Sequence, residues 1–286
     1  MYDGKPSKTA YKVALNILTL GAKPDMAEIL PAGLVDATEK LLIASGAAKP
    51  NSVHWSSSSW MVSVYEAFDW MMPGQFEAFA HRKAFCENQV RKGIADGTSQ
   101  VLVLGAGYDT MGWRLAPEYP NVNFFEIDHP ATASFKLRGI EEMGPRPNLY
   151  LISEDLSNRN LVDVLTEGEN WDISASTTFI AEGLLQYLTP SAVQNLFMQC
   201  ASVVGNGRII FTYVPAQKNG RPDAGPWSNL VLWLLKAFGE PWLWSLQPKE
   251  LDQFLEKSGW TNEPDIIKDY VGKHGIELYV VATKSL

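Results

Sequence analysis

The feature that most constrains this chain is a change of pattern at residue 100. From there on, short apolar runs alternate with longer segments of helical spacing. Gln100-Val-Leu-Val-Leu104, Asn123-Phe-Phe-Glu-Ile-Asp128, Leu149-Tyr-Leu-Ile-Ser153, Thr177-Thr-Phe-Ile-Ala181 and Arg208-Ile-Ile-Phe-Thr-Tyr-Val214 read as buried strands. Strands separated by helices require right-handed crossovers, which gives a parallel, doubly wound α/β sheet. The end departs from this pattern. Pro248 to Ser258 reads as a helix closed by Gly259, and segments near 261–265 and 276–282 are joined without a long helix. That predicts an antiparallel edge, which dinucleotide-binding sheets do not usually have.

Residues 1 to about 95 read mainly as helices, punctuated by Pro24, Pro31, Pro50 and Pro73-Gly74. Ala10, Val13, Ala14, Ile17 and Leu18 recur at helical spacing and predict a one-sided helix near the start. Lys5, Lys8 and Lys12 before an apolar run would also suit a secretory signal, but Asn16 and Thr19 interrupt that run. The expected organisation is a helical cap over 1–95 and a core over 96–286. The core carries a helical lid insertion at about 215–247, and the whole forms one compact domain. Cys86 and Cys200 are too few for a disulfide framework or a Cys-rich metal site, which fits a cytoplasmic protein. The formal charge of −8 disfavours broad binding to nucleic acid or anionic membranes. No apolar run reaches the ~18 residues of a membrane-spanning helix.

Ligand signals cluster at strand ends. Leu104-Gly105-Ala106-Gly107-Tyr108-Asp109-Thr110 follows the first strand, where glycines allow a tight turn and close approach to a ligand. A dinucleotide fingerprint wants a third glycine where Thr110 stands, and a P-loop Lys is absent. Asp128 ends the second strand about 20 residues on, where a carboxylate can accept both ribose hydroxyls of an adenosine. A helix N-cap ahead of Pro130 is its lesser alternative reading. Asp155-Leu156 after the third strand can clamp adenine or cap a helix. Glu182 ends the fourth strand beside Gly183 and can pair with an ammonium group. Four such signals at four consecutive strand ends outline one elongated site with ribose, base and charged-tail ends.

These motifs resemble one family. Val101-Leu-Val-Leu-Gly-Ala-Gly-Tyr-Asp-Thr110, Arg114-Leu115, Phe125-Glu-Ile-Asp-His-Pro130 and Ala181-Glu-Gly-Leu-Leu-Gln-Tyr-Leu188 are similar to the leucine carboxyl methyltransferase family, including its bacterial polyketide-type O-methyltransferases. The resemblance implies a Rossmann-like class I methyltransferase sheet, mostly parallel with an antiparallel edge strand, plus the N-terminal helical cap. It implies S-adenosylmethionine as cofactor. Gly105 and Gly107 would flank it, Asp128 would hold its ribose, and Asp155 and Leu156 would address adenine. Glu182 would sit by the methionine amino group, and Arg82 by the methionine carboxylate with Lys8 or Thr9 helping. Tyr187 would lie near the transferred methyl. Met111 stands where many bacterial members carry arginine, and Tyr108 is larger than the usual aliphatic residue.

The implied reaction is methyl transfer to an oxygen, carboxylate or hydroxyl, of a small molecule or peptide carboxylate. A non-catalytic cofactor-binding regulator stays open as an alternative, as does, more weakly, an NAD-dependent oxidoreductase. His54, His81, His129 and His274 form no triad or metal spacing, so no metal is expected. Ten Trp is a high count, and Trp227, Trp233, Trp242 and Trp244 fall within 215–247. That stretch is longer than a plain crossover needs. Trp227, Trp242 and Trp244 are therefore the expected acceptor-pocket residues, with core packing or a dimer contact as the other readings.

Overall fold

The computed structural model describes residues 6–156, 158–168, 170–264 and 275–284. Lys5 and residue 265 of the predicted 261–265 strand lie outside them. Six helices come first: α1 (Lys8–Gly21), α2 (Pro24–Ile29), α3 (Leu34–Ala44), α4 (Pro50–Ser56), α5 (Ser59–Ala67) and α6 (Gln75–Ala95). Ser7 caps α1, its hydroxyl accepting the Ala10 N–H at 3.1 Å. The sequence ends the helix over 76–90 at Gly93 and Gly97; α6 runs through Gly93 and stops just before Gly97, whose φ is +102°. A side chain at Gly93 would strike the Thr178 hydroxyl at 2.8 Å, so the glycine serves close packing on the sheet.

The alternating half follows as β1 (Gln100–Leu104), α7 (Met111–Leu115), β2 (Asn123–Asp128), α8 (Pro130–Met143), β3 (Leu149–Ser153), α9 (Leu161–Thr166) and β4 (Thr177–Ala181). Then come α10 (Pro190–Ser202), β5 (Gly207–Tyr213), α11 (Ser228–Ala237), α12 (Leu251–Lys257), β6 (Trp260–Asn262) and β7 (Leu278–Lys284). The sheet order is β3-β2-β1-β4-β5-β7-β6. β1 to β5 pair in parallel, and β7 is antiparallel to both neighbours. The antiparallel pairing expected at the end of the sheet is present, with β7 inserted inside β6 rather than outside it.

Alternation along the strands divides the core. Leu102, Leu104, Phe125, Ile127, Phe179, Ile209 and Phe211 face α9, α10 and α12. Val101, Val103, Phe124, Ile180 and Ile210 face Phe85, Cys86 and Val90 of α6 and Leu115 of α7. Both faces are covered, so the parallel strands read as continuous apolar runs. Burying each such side chain is worth roughly 1.5–3 kcal/mol. Two helices behave differently. None of the residues of α5 is buried, and α11 buries only Ser228 and Val231. Among the described residues no helix is long and apolar enough to cross a membrane.

Candidate functional site

The strand order reverses between β1 and β4, and that switch point opens a crevice at the carboxyl ends of the strands. A cavity of about 730 Å³ lies there. Its floor is the loop after β1. Gly105 and Gly107 take φ values of +65° and +50°. A side chain on Gly105 would sit 2.7 Å from Leu184 Cδ1, and one on Gly107 would sit 3.0 Å from Ala10 Cβ. The loop therefore touches both the N-terminal helix and the segment after β4, which only glycines permit.

Asp128, at the end of β2, fastens this loop. Its carboxylate accepts the Gly107 N–H at 2.6 Å and the His129 N–H at 2.7 Å. Burial pushes its carboxyl above the ordinary aspartate value, and those two N–H groups and Lys136 pull it partly back. Asp128 lines the cavity, and its remaining lone pairs are open to a ligand.

On the other side, α6 and the end of β4 build a buried charge network. Arg82 donates from Nε to Glu182 at 2.9 Å and from Nη1 to Glu277 at 2.5 Å. Gln186 also donates to Glu277, at 3.2 Å. Lys83 pairs with Asp109 and, at 3.0 Å, with Glu182. Burial disfavours each of these charges. For Arg82, Glu277 and Glu182 overcome it and raise the guanidinium further. For Lys83, Asp109 and Glu182 do the same. For Asp109, Lys83 and Lys136 hold the carboxyl well below the carboxylate range. Arg82, Lys83, Asp109 and Glu182 all line the cavity.

Tyr187, in a single 3-10 turn after β4, lines the cavity too. Burial raises its phenol, while the Trp242 indole and the Thr9 side chain beside it favour the anion. Seven residues of the sequence reading therefore line one cavity: Thr9, Arg82, Gly105, Gly107, Asp128, Glu182 and Tyr187.

Others do not. Lys8 is exposed and off the cavity, whereas Thr9, Ala10, Val13, Ala14 and Ile17 line it. Helical geometry turns Lys8 about 200° from Ala10, onto the outer face. Asp155 and Leu156 do not line the cavity either. They follow β3, two strands from the switch point, roughly 10 Å away at ordinary strand spacing. Leu156 packs on the main core, and Asp155 accepts from Asn158 at 2.8 Å and lies 3.8 Å from His129 Nε2.

The three tryptophans do not line this cavity either. Trp227 is 48% exposed and packs edge-on against Trp70. Trp244 is 5% exposed and sits in the core between Tyr213 and Phe254. Trp242 reaches the site only through Tyr187. No helix or strand is formed between Gly239 and Ser245. Glu240, Pro241 and Leu243 meet the cavity, and Trp242 and Trp244 turn away.

Sequence reasoning passed over Lys83 and Asp109 as partners, and Glu277 and Glu240 altogether. Asp109 stood inside the glycine motif. Glu277 carried no local signal, since its partner Arg82 is 195 residues away. Among the described residues no group of three or more His, Cys, Asp or Glu could hold a metal ion.

The sheet order, the single antiparallel strand and the glycine loop at the switch point define a class I methyltransferase fold. A structure from Thermobifida fusca, provisionally assigned as a methyltransferase, superposes with a TM-score of 0.56 over 87% of this chain and 94% of that one, at 14% identity. The family model for leucine carboxyl methyltransferase matches residues 34–201, and the chain belongs to that family. A protein of Mycolicibacterium paratuberculosis, provisionally assigned as an S-adenosyl-L-methionine-dependent methyltransferase, is 26% identical over 75% of this chain and 66% of its own length. A protein of Mycolicibacterium gilvum with the same assignment is 29% identical over 63% of this chain. The match spans 56% of that relative, so the chain covers less than two thirds of either one.

Proposed function

We propose that the chain binds S-adenosylmethionine and transfers its methyl group to an oxygen of a small-molecule acceptor. One observation carries this reading. The switch-point cavity joins a glycine loop fastened by Asp128 to the buried Arg82, Lys83 and Glu182 network. The charge balance suits the cofactor. Four carboxylates line the cavity, Asp109, Asp128, Glu182 and Glu240, against two fixed cations, Arg82 and Lys83. That excess favours a ligand carrying a sulfonium.

When bound, S-adenosylmethionine supplies an electrophilic methyl group, so the protein's part is alignment and exclusion of water. Asp128 would accept the ribose hydroxyls. Arg82 keeps donors beyond its two bonds for a carboxylate, and Glu182 would face the ammonium. Tyr187, with Thr9, Leu184 and Leu188, would shape the acceptor side. The names of the mycobacterial relatives support the cofactor, and the family's namesake reaction supports an oxygen acceptor.

Calorimetry with S-adenosylmethionine and S-adenosylhomocysteine tests the reading. Saturable binding is expected, and Asp128→Ala should weaken it by about 1–3 kcal/mol. Folded protein that binds neither compound would end this proposal.

A further inference from the structure

Two helices are poorly anchored in the chain's own core. α5 buries none of its residues, and α11 buries only Ser228 and Val231. What they leave outside is apolar and continuous. Trp60 and Phe68 lie about two turns apart on one side of α5. Trp55, from α4, packs on Trp60 with ring centres 4.9 Å apart. Trp70 meets Trp227 edge-on at 5.5 Å, which carries the band onto α11. There it continues through Leu230 and Trp233 to Phe238, whose ring lies beneath the Lys12 ammonium. The Trp, Phe and Leu side chains of this band are 40% to 64% exposed.

Size and composition say what covers it. A large aromatic side chain carries about 150–250 Å² of surface, so the band leaves roughly 800–1,000 Å² open. The largest apolar patch on a typical monomer is about 300–600 Å². A stable protein–protein contact covers about 800 Å² of each partner. The band is therefore one partner's half of an interface, rich in Trp and Phe and poor in charge as the centre of such a contact is. α5 and α11 carry one charged residue each, Glu66 and Lys236. Asp69, beside the band, accepts the Gly74 N–H at 2.8 Å.

We propose that this band joins two copies of the chain about a two-fold axis at the Trp70–Trp227 contact. Such an axis sets the α5 half of one copy against the α11 half of the other, so Glu66 and Lys236, opposite in sign, fall on facing halves. An anionic membrane fits less well. The chain carries a formal charge of −8, and α11 offers one lysine where such surfaces recruit clusters of about 4–8 basic residues. α11 leads through Phe238 into Gly239, Pro241 and Leu243 of the cavity lining, so the second copy stands at the rim of the switch-point cavity. Each copy keeps its own core, so substitutions on the band alter association rather than the folding of one chain. The proposal uses the fold alone and stands or falls independently of the methyltransferase reading.

Sedimentation velocity of the full chain between about 0.1 and 100 μM tests it, since contacts of this size have micromolar or tighter affinity. A species of twice the chain's mass is expected within that range. Trp233→Glu puts a charge on the most exposed ring of the band and should raise the dimer dissociation constant about tenfold or more. Leu230→Glu, about one turn away, should do the same and repeats the test if the Trp233 variant does not fold. Met198→Glu puts the same charge on an exposed site of α10, on the sheet face opposite α6, and should leave the dissociation constant unchanged. Circular dichroism establishes that the variants are folded. Three results overturn the proposal. One is a single chain at every concentration, whether or not it then cosediments with vesicles of equimolar phosphatidylglycerol and phosphatidylcholine. Another is a dimer that both band variants leave intact. The third is a dimer weakened equally by Met198→Glu.

Discussion

Replacing Asp109 by Asn tests the buried charge network most directly. The side chains of Lys83 and Asp109 are only 12% and 10% exposed. Removing one member of a buried ion pair costs about 3–5 kcal/mol when the other is left alone. Lys83 is not left alone, because Glu182 remains 3.0 Å away. The Met111 N–H, which donates to Asp109 Oδ1 at 2.6 Å, also keeps an oxygen to bond in Asn. The expected loss is therefore about 2 kcal/mol, near the value of one charged hydrogen bond. For a chain of this size that lowers the melting temperature by about 4–8 °C.

The loss has a pH signature. Burial alone would raise the Asp109 carboxyl, but Lys83 and Lys136 hold it well below its unfolded value of about 3.9. A depressed carboxyl contributes stability above the unfolded value and loses it as pH falls through the folded one. Urea unfolding of both proteins at pH 7, 5.5 and in steps towards pH 3 should show a constant gap that narrows below about pH 4. A gap under about 0.5 kcal/mol at pH 7, or one that widens in acid, would refute the network as described.

Further outcomes follow from the same geometry. Gly105→Ala places a methyl 2.7 Å from Leu184 in a left-handed turn. It should cost about 1–2 kcal/mol in backbone strain alone and weaken S-adenosylhomocysteine binding with the circular dichroism of the fold retained. Trp244→Ala should cost about 3–5 kcal/mol in urea unfolding, and Trp227→Ala about 1 kcal/mol or less. Equal losses would mean that Trp244 is not a core residue. Burial raises the Asp128 carboxyl, so affinity for S-adenosylhomocysteine should begin to fall at a pH above the ordinary aspartate value of about 3.9. Asp128→Asn should flatten that profile, and an unchanged profile would assign the acid loss to another group.

The core of the fold was legible because four of the five parallel strands, all but the edge strand β3, are largely buried on both faces. Gln100–Leu104, Asn123–Asp128 and Thr177–Ala181 form as read from their apolar runs. The final antiparallel pair was legible as an interruption of the crossover rhythm, but its register was not, and β7 begins at Leu278 rather than residue 276. Of the candidate site residues, those fixed by a strand end or a turn line the cavity: Gly105, Asp128 and Glu182. Residues whose role depends on which way a segment faces were not. Composition marked 215–247 as aromatic, yet Trp244 lies in the core while Glu240 and Leu243 line the cavity. Lys8 likewise lies off the cavity, on the outer side of an otherwise well-read helix. The Arg82–Glu277 pair had no local signature, because nothing between those residues records their meeting.

That pairing bears on the order in which the protein becomes competent during synthesis. Glu277 immediately precedes β7, the seventh strand made, and β7 slots between β5 and β6. A ribosome-bound chain that has already folded β1 to β5 presents the glycine loop, Asp128 and Arg82. It lacks one of the two carboxylates that fix the guanidinium, and β5 stands as an open edge. Completion of the Arg82 pairing and closure of the sheet thus come together, and a chain stopped before β7 is marked by both defects at once.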